Sequence, residues 1–293
     1  MDFRLHIGDW IEIFVEFLLE NFQGVFDVIS AIILWLTSTL EGGLLGMPNW
    51  LLLILVVALS FWRLGWKFAV FSFIALGLVM VMGLWETTVS TLALVVAATL
   101  ASLVVALPAG IIMAKSDTVE SVIKPVLDFM QTMPPFVYLI PAAMFFGLGK
   151  VPGTIATIIF AMPPAVRLTN LGIRQVPKEL VEAGQAFGCT GMQLLRKVQI
   201  PSAMPSIMAG INQNVMMALS MVVIASMIGA GGLGNVVLRG IQRMDIGLGF
   251  EGGIGVVILA ILLDRISQTF GQTAGPSFFA RIKALFSSQE AAE

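Results

Sequence analysis

The sequence predicts an all-α integral membrane protein, a polytopic bundle of about 6–8 transmembrane helices. Three observations carry that prediction. Of 293 residues, 58% are hydrophobic and 12% charged, against roughly 45–50% and 25% in a soluble domain. Mean hydropathy is +0.96. The apolar residues recur at helical spacing or fill whole segments, whereas the period-2 alternation of a membrane barrel is absent. Open sheets cannot satisfy their backbone in lipid.

The first residues, MDFRLHIGDWIEIFVEF, carry acids at Asp2, Asp9, Glu12 and Glu16 and no long uninterrupted apolar core, so they do not read as a cleavable signal. Residues 1–47 form an N-terminal region. Within 10–40, apolar side chains recur at helical spacing (Val15, Leu18, Leu19 and Phe22, then Val25, Phe26, Ile29 and Ile33), punctuated by Glu16, Glu20 and Asp27. This predicts one or two amphipathic helices lying at the membrane interface. A span over residues 22–40 is the competing reading.

A transmembrane domain follows over 48–272, with predicted spans at 50–62, 68–84, 89–113, 126–146, 151–166, 207–228 and 254–263. A span needs ~20 apolar residues, so the first two must use their flanks or tilt. The basic residues orient the set. With 167–206 in the cytoplasm, Arg63, Lys67, Lys115, Lys124, Arg167, Arg174, Lys178, Arg196, Lys197, Arg265, Arg281 and Lys283 fall inside, and only Arg4, Lys150, Arg239 and Arg243 fall outside. Residues 273–293 then form a cytoplasmic tail too short for a folded domain.

The polar stretch ELVEAGQAFGCTGMQLLRKVQIP, residues 179–201, interrupts this apolar chain. Pro177 suits the first turn of a helix, and Gly188 is a natural stop. Thr190 with Gln193 forms a Thr-x-x-Gln capping box that opens a second helix. Leu194, Leu195 and Val198 give it an apolar stripe, and Pro201 ends it. A rigid helix–turn–helix on the cytoplasmic face is expected, and loops this long with defined caps are usually functional.

Glu182-Ala183-Gly184, three residues, Gly188, nine residues, then Val198-Gln199-Ile200-Pro201 resembles the EAA loop of ABC-importer permeases. That family pattern is Glu-Ala-Ala, three residues, Gly, nine residues, Ile-x-Leu-Pro. Gly184 replaces its third alanine, a change expected to loosen the first helix by up to ~1 kcal/mol. Residues 128–153, 160–183 and 216–245 also look like the permeases of betaine-type osmoprotectant importers. The resemblance covers roughly residues 50–270.

The resemblance implies a type I ABC importer permease fold and a coupling loop built from Glu182, Ala183, Gly184, Ala186, Phe187, Gly188, Thr190, Leu194, Leu195, Ile200 and Pro201. It implies two separate ATPase subunits, which bind the ATP and Mg, a second copy of the permease and a separate solute-binding protein. The place is the bacterial cytoplasmic (inner) membrane, with lipid around the chain. The substrate it implies is a methylated amine: glycine betaine, proline betaine, choline, carnitine or trimethylamine N-oxide. The sequence itself holds no cofactor site. No Gly-x-x-x-x-Gly-Lys-[Ser/Thr] phosphate loop occurs, and Gly147–Lys150 reads as a turn between spans.

Polar side chains within spans normally face a bundle interior or a water-filled path. Gln131, Thr132, Asn212, Gln213, Asn214 and Ser220 are the candidates for the translocation path, with Tyr138 as an aromatic face for a cation. Interhelical hydrogen bonding or core packing explains each of them equally well. Gly229, Gly231, Gly232 and Gly234 match the dinucleotide fingerprint Gly-x-Gly-x-x-Gly, but that motif needs a preceding strand and a βαβ unit. Here it follows a span. A glycine-rich helix end that turns back a short re-entrant segment over 235–244 is the better reading, and with Glu251 it marks an outer gate region.

Net charge of −2 gives no support for nucleic-acid binding, and one cysteine with one histidine removes most catalytic and metal constellations. Together with these exclusions, the resemblance implies a transport subunit, not an enzyme, working by alternating access driven by ATP hydrolysis elsewhere. The rival reading is an autonomous ion-coupled secondary transporter, whose inverted repeats and intramembrane acids are not evident.

Overall fold

The structure is a computed structural model that describes residues 7–270. The expected tail over 273–293, with Arg281 and Lys283, lies outside the described residues, as do Arg4 and His6. Every regular element among the described residues is helical. In order the α-helices are α1 (Ile7–Leu45), α2 (Asn49–Leu64), α3 (Trp66–Val81), α4 (Trp85–Lys115), α5 (Asp117–Thr132), α6 (Pro135–Phe146), α7 (Lys150–Arg174), α8 (Lys178–Ala186), α9 (Gly191–Leu194), α10 (Ile200–Ala225), α11 (Gly232–Arg243) and α12 (Ile246–Phe270), with a π turn over Leu195–Gln199 and a 3-10 turn over Ser226–Ile228. Among the described residues, five segments are long and apolar enough to cross a membrane, six when the bent pair α5–α6 is one span.

Helix α7 forms the central column, packed between α4 and α10. Small residues let the three backbones approach. A Cβ on Gly110 would lie 2.6 Å from Thr169 Cβ, and one on Gly172 would lie 2.7 Å from Ser206 Cβ. Asn214, fully buried on α10, donates to Ser102 Oγ of α4 at 2.7 Å and to the Ala161 carbonyl of α7 at 2.8 Å, pinning all three helices at one level. Helices α11 and α12 pack on each other and against α4, while α2 and α3 pair with one another beside α12. At 16 residues each, α2 and α3 are about 24 Å long, short of a ~30 Å hydrocarbon core, as their sequence suggests.

Three sequence expectations are corrected. The run 126–146 is not one straight span. It breaks at Met133–Pro134, and α5 and α6 meet at 101°. Pro134 and Pro135 stand at the break, and a residue preceding proline is pushed from helical to extended backbone, as seen at Met133 and Pro134. Pro201 does not end a helix. The chain runs helically from α9 through a π turn over Leu195–Gln199 into α10, where Ile200 N–H reaches the Leu195 carbonyl. Widening the turn places Pro201, which lacks an N–H, inside a continuous helix. Finally, the segment expected as a loop from 167 remains helical to Arg174.

In α1 the helix is interrupted at Phe22, whose backbone is non-helical. The stretch Val15–Leu45 has the length and apolarity of a span and packs on α4, α6 and α7. Its far end is tied down by Glu41, which pairs with Lys150 at the start of α7 and accepts from Ser90 Oγ at 2.8 Å near the start of α4.

Candidate functional site

Helix α8 starts directly after Pro177 and stops at Gly188, whose φ of +76° is a left-handed conformation that few residues other than glycine accept. Thr190 then caps α9. Its side chain accepts from Gln193 N–H, and the Gln193 amide oxygen accepts from Thr190 N–H at 2.8 Å, closing both halves of the capping box. The two short helices fold against each other at Gly184, where an added Cβ would sit 2.7 Å from Leu194 Cδ1. The glycine that departs from the EAA pattern thus stands where α8 meets α9. The opposing atom is only the end of a flexible side chain.

This unit is fixed to the bundle by an apolar cluster. Leu195 and Ile200 join Val181, Ile173, Val176, Ala203 and Ile207, with Leu107 and Ile111 from α4. Gly184, Leu194 and Leu195 are buried, and Ile200 is half-buried. Glu182, Ala183, Ala186, Gly188, Thr190 and Pro201 are exposed, and Phe187 is 89% exposed at the tip. The unit therefore has an anchored side and a free side that carries an acid, two alanines and one large aromatic ring.

A charged network that sequence reasoning missed lies at the base of the unit. Arg174, the last residue of α7, donates from Nε to Asn170 Oδ1 at 3.0 Å, from Nη1 to Asp117 Oδ1 at 2.6 Å and from Nη2 to the Met113 carbonyl at 2.8 Å. Nη2 also pairs with Glu120 at 3.0 Å, and Asn170 Nδ2 donates to the other Glu120 oxygen at 3.0 Å. The available signal was a single Asn-x-x-x-Arg spacing, Asn170 to Arg174, ending α7, and two acids, Asp117 and Glu120, in the first turn of α5.

The polar residues expected to line a path separate. Asn214 is buried in the core described above. Asn212 turns to α12, donating to Asp264 Oδ1 at 3.1 Å and accepting from Ser267. Tyr138 is buried, with its hydroxyl donating to the Met130 carbonyl at 2.6 Å across the α5–α6 bend. Gln131 is half-buried and Thr132 exposed near that bend. Gln213 and Ser220 are exposed, seven positions apart and so on one face of α10.

At the opposite end of α10 the glycines make the expected turn-back. Gly229, Gly231 and Gly232 all have positive φ, and α11 follows as a 12-residue helix. A Cβ on Gly232 would lie 2.4 Å from Thr91 Oγ1, the same oxygen that accepts Leu233 N–H at 2.8 Å. Gly149 N–H donates to the Ile228 carbonyl at 2.9 Å, so the 147–149 turn closes on this region. Gly234 abuts the Val223 carbonyl, and Glu251 is exposed on α12.

Comparison with known proteins decides the family. Residues 106–274 match the model for "binding-protein-dependent transport system inner membrane component". A glycine betaine/carnitine transport permease of Listeria monocytogenes is 52% identical over 92% of this chain and 96% of its own length. The chain belongs to that family of inner membrane components. The glycine betaine/proline betaine permease of Escherichia coli is 48% identical, over 91% of this chain and 75% of its own. A trimethylamine N-oxide permease of Ruegeria pomeroyi is 39% identical over 70% of this chain and 31% of its own length. Among solved structures, an inward-facing MetNI methionine ABC transporter matches with a TM-score of 0.60 at 21% identity, over 67% of this chain and 98% of that one.

As a member of this family, the chain is a multi-pass inner-membrane transport permease and not an enzyme. Its fold is that of a type I ABC importer permease, and the secondary-transporter alternative is set aside. Family membership implies an ATPase and a binding-protein partner.

Proposed function

We propose that the chain is the membrane subunit of an ATP-driven importer for betaine-like methylated amines, with the α8–α9 unit, inside the cytoplasmic segment 167–206, as its coupling element. One observation carries the coupling role. The α8–α9 unit is rigidly capped and anchored on one side, yet it leaves Phe187 almost wholly in solvent on the other. An exposed ring on a rigid mount is the form of a docking knob, since a large aromatic in a preformed pocket anchors an interface. Glu182, Ala183 and Ala186 complete the free face, and Gly188 and Thr190 hold its turn. A separate ATPase subunit, carrying ATP and Mg, is its partner.

Gln213 and Ser220 support a second copy of the permease. A polar amide facing lipid is costly, so such residues face a bundle interior or a water-filled cavity. Among the described residues, no other helix covers them. Pairing of two copies across this α10 face places a wet path between them, with Gln131 and Thr132 at its margin. The glycine-rich Gly229–Gly234 turn and Glu251 lie at the far end, where an outer gate and a solute-binding protein belong. In this orientation α1 crosses the membrane after Phe22, and its Glu41 end faces outward.

The substrate class rests on the relatives, which are named for glycine betaine, proline betaine, carnitine and trimethylamine N-oxide. The test is uptake by the chain reconstituted with its ATPase and binding protein. Labelled glycine betaine should enter, and excess carnitine or proline betaine, but not methionine, should compete. Competition by methionine alone would overturn the substrate assignment.

A further inference from the structure

We propose that Arg174 is a positioning residue for transport, one that passes displacement of the α8–α9 unit to the α5–α6 elbow. The inference rests on the coupling role proposed above and adds the route by which the loop acts on the bundle. Only residues 175–177 separate Arg174 from α8. Its three guanidinium nitrogens are all engaged, on three elements: Asn170 on α7 itself, the Met113 carbonyl at the end of α4, and Asp117 with Glu120 in the first turn of α5. The last carbonyls of a helix have no intrahelical donor, and a cation there also complements the helix dipole. Arg174 therefore satisfies α4 at its end while it holds the acids that open α5.

The contacts differ in weight. Asp117 is 90% exposed and its pair with Arg174 is screened by water. Glu120, about a quarter exposed, is held twice, by Arg174 and by the buried Asn170 amide. The strong part of the network is thus Arg174–Glu120–Asn170 with the Met113 carbonyl. A second pair, Arg167 to Asp128 at 2.5 Å, holds α5 to α7 nearer its other end. So α5 touches α7 at two levels, but the Arg167–Asp128 pair is exposed and screened, and the firm attachment is the one at Arg174.

Beyond that attachment, α5 leads into the 101° elbow, closed by the Tyr138 hydroxyl on the Met130 carbonyl. Past the elbow, Tyr138, Leu139 and Ala142 pack with Met221, Ala225 and Ala230, next to the Gly229–Gly234 turn. A contiguous set of hydrogen bonds and packed side chains therefore runs from α8 to the opposite end of the bundle. Spatial continuity alone does not establish coupling, so the test must separate transmission from simple support of the fold.

The complete complex is reconstituted with Arg174→Gln, Arg174→Lys or Glu120→Gln, alongside Gly188→Val in the loop. Complex recovery, basal ATPase, stimulation of ATPase by loaded binding protein, and uptake are all measured. Arg174→Gln should leave recovery and basal ATPase near the parent values. It should lower stimulation and uptake by about tenfold, within the ~5–150-fold range of typical coupling free energies. Lysine keeps the charge, but its single nitrogen cannot reproduce the contacts that Nε, Nη1 and Nη2 make in three directions, so it should fall between.

A merely structural clamp would lower recovery and all activities in proportion, with stimulation per complex unchanged, and that result overturns the proposal. So does full stimulation and uptake in an intact Arg174→Gln complex. If Arg174→Gln fails to insert, Glu120→Gln carries the same comparison, because it leaves Arg174 its α4 contact. Gly188→Val separates the two readings. A Gly188→Val complex that retains and couples its ATPase defeats the loop assignment. One that loses it, beside a normally coupled Arg174→Gln, defeats only the role given to Arg174.

Discussion

At the scale of single residues, neighbours in sequence take different jobs. Asn212, Gln213 and Asn214 are indistinguishable as path candidates by composition. The structure turns Asn212 to Asp264, buries Asn214 among three helices and leaves Gln213 exposed. Helix rotation decides this, and rotation is set by packing against α4 and α7 rather than by the triplet. Gly184 and Gly188 separate in the same way. Both are loop glycines, but only Gly188 has positive φ, while Gly184 is helical and close to Leu194. Gly188→Val should strain the turn by roughly 1–2 kcal/mol and detach or uncouple the ATPase without affecting insertion. Gly184→Ala should change stability by less than ~1 kcal/mol and preserve uptake, because a terminal methyl can yield. Co-purification with the ATPase and unfolding midpoints check the pair; the reverse order of severity would refute it.

At the scale of elements, what was legible depended on how local its cause is. The stop at Gly188 and the Thr190–Gln193 box require a handful of adjacent residues, and both appear in the structure as the sequence reads. The π turn before Pro201 was not legible. A proline reads as a helix end unless the helix on both sides is stabilised by contacts elsewhere, and here those come from Ile173, Val176 and Leu107. The α5–α6 elbow was hidden for the opposite reason. Its apolar run looks continuous, and only the paired prolines mark the break. The elbow rests in part on one hydrogen bond. Tyr138→Phe should lower stability by about 1 kcal/mol, read as a reduced unfolding midpoint in detergent. An unchanged midpoint would mean that apolar packing alone sets the bend.

At the scale of the whole molecule, composition was sufficient for the class, since a chain this apolar and so poorly charged has few alternatives to a helical membrane bundle. The EAA spacing carried the family resemblance, because a docking loop must keep helix, turn and helix in fixed register. The path through the membrane was not legible. If the chain pairs with a copy of itself, as proposed, the lining face is the one its own helices leave open, and a sequence does not say which face that is. The account as a whole rests on division of labour: this chain forms the path, and a second protein drives it through the α8–α9 unit.

The most direct measurement is uptake of labelled glycine betaine into liposomes containing the chain alone, and into liposomes containing the chain with its ATPase and binding protein, each with and without ATP and with an imposed ion gradient. The account predicts accumulation only in the complete system with ATP. Gradient-driven accumulation by the chain alone would contradict it.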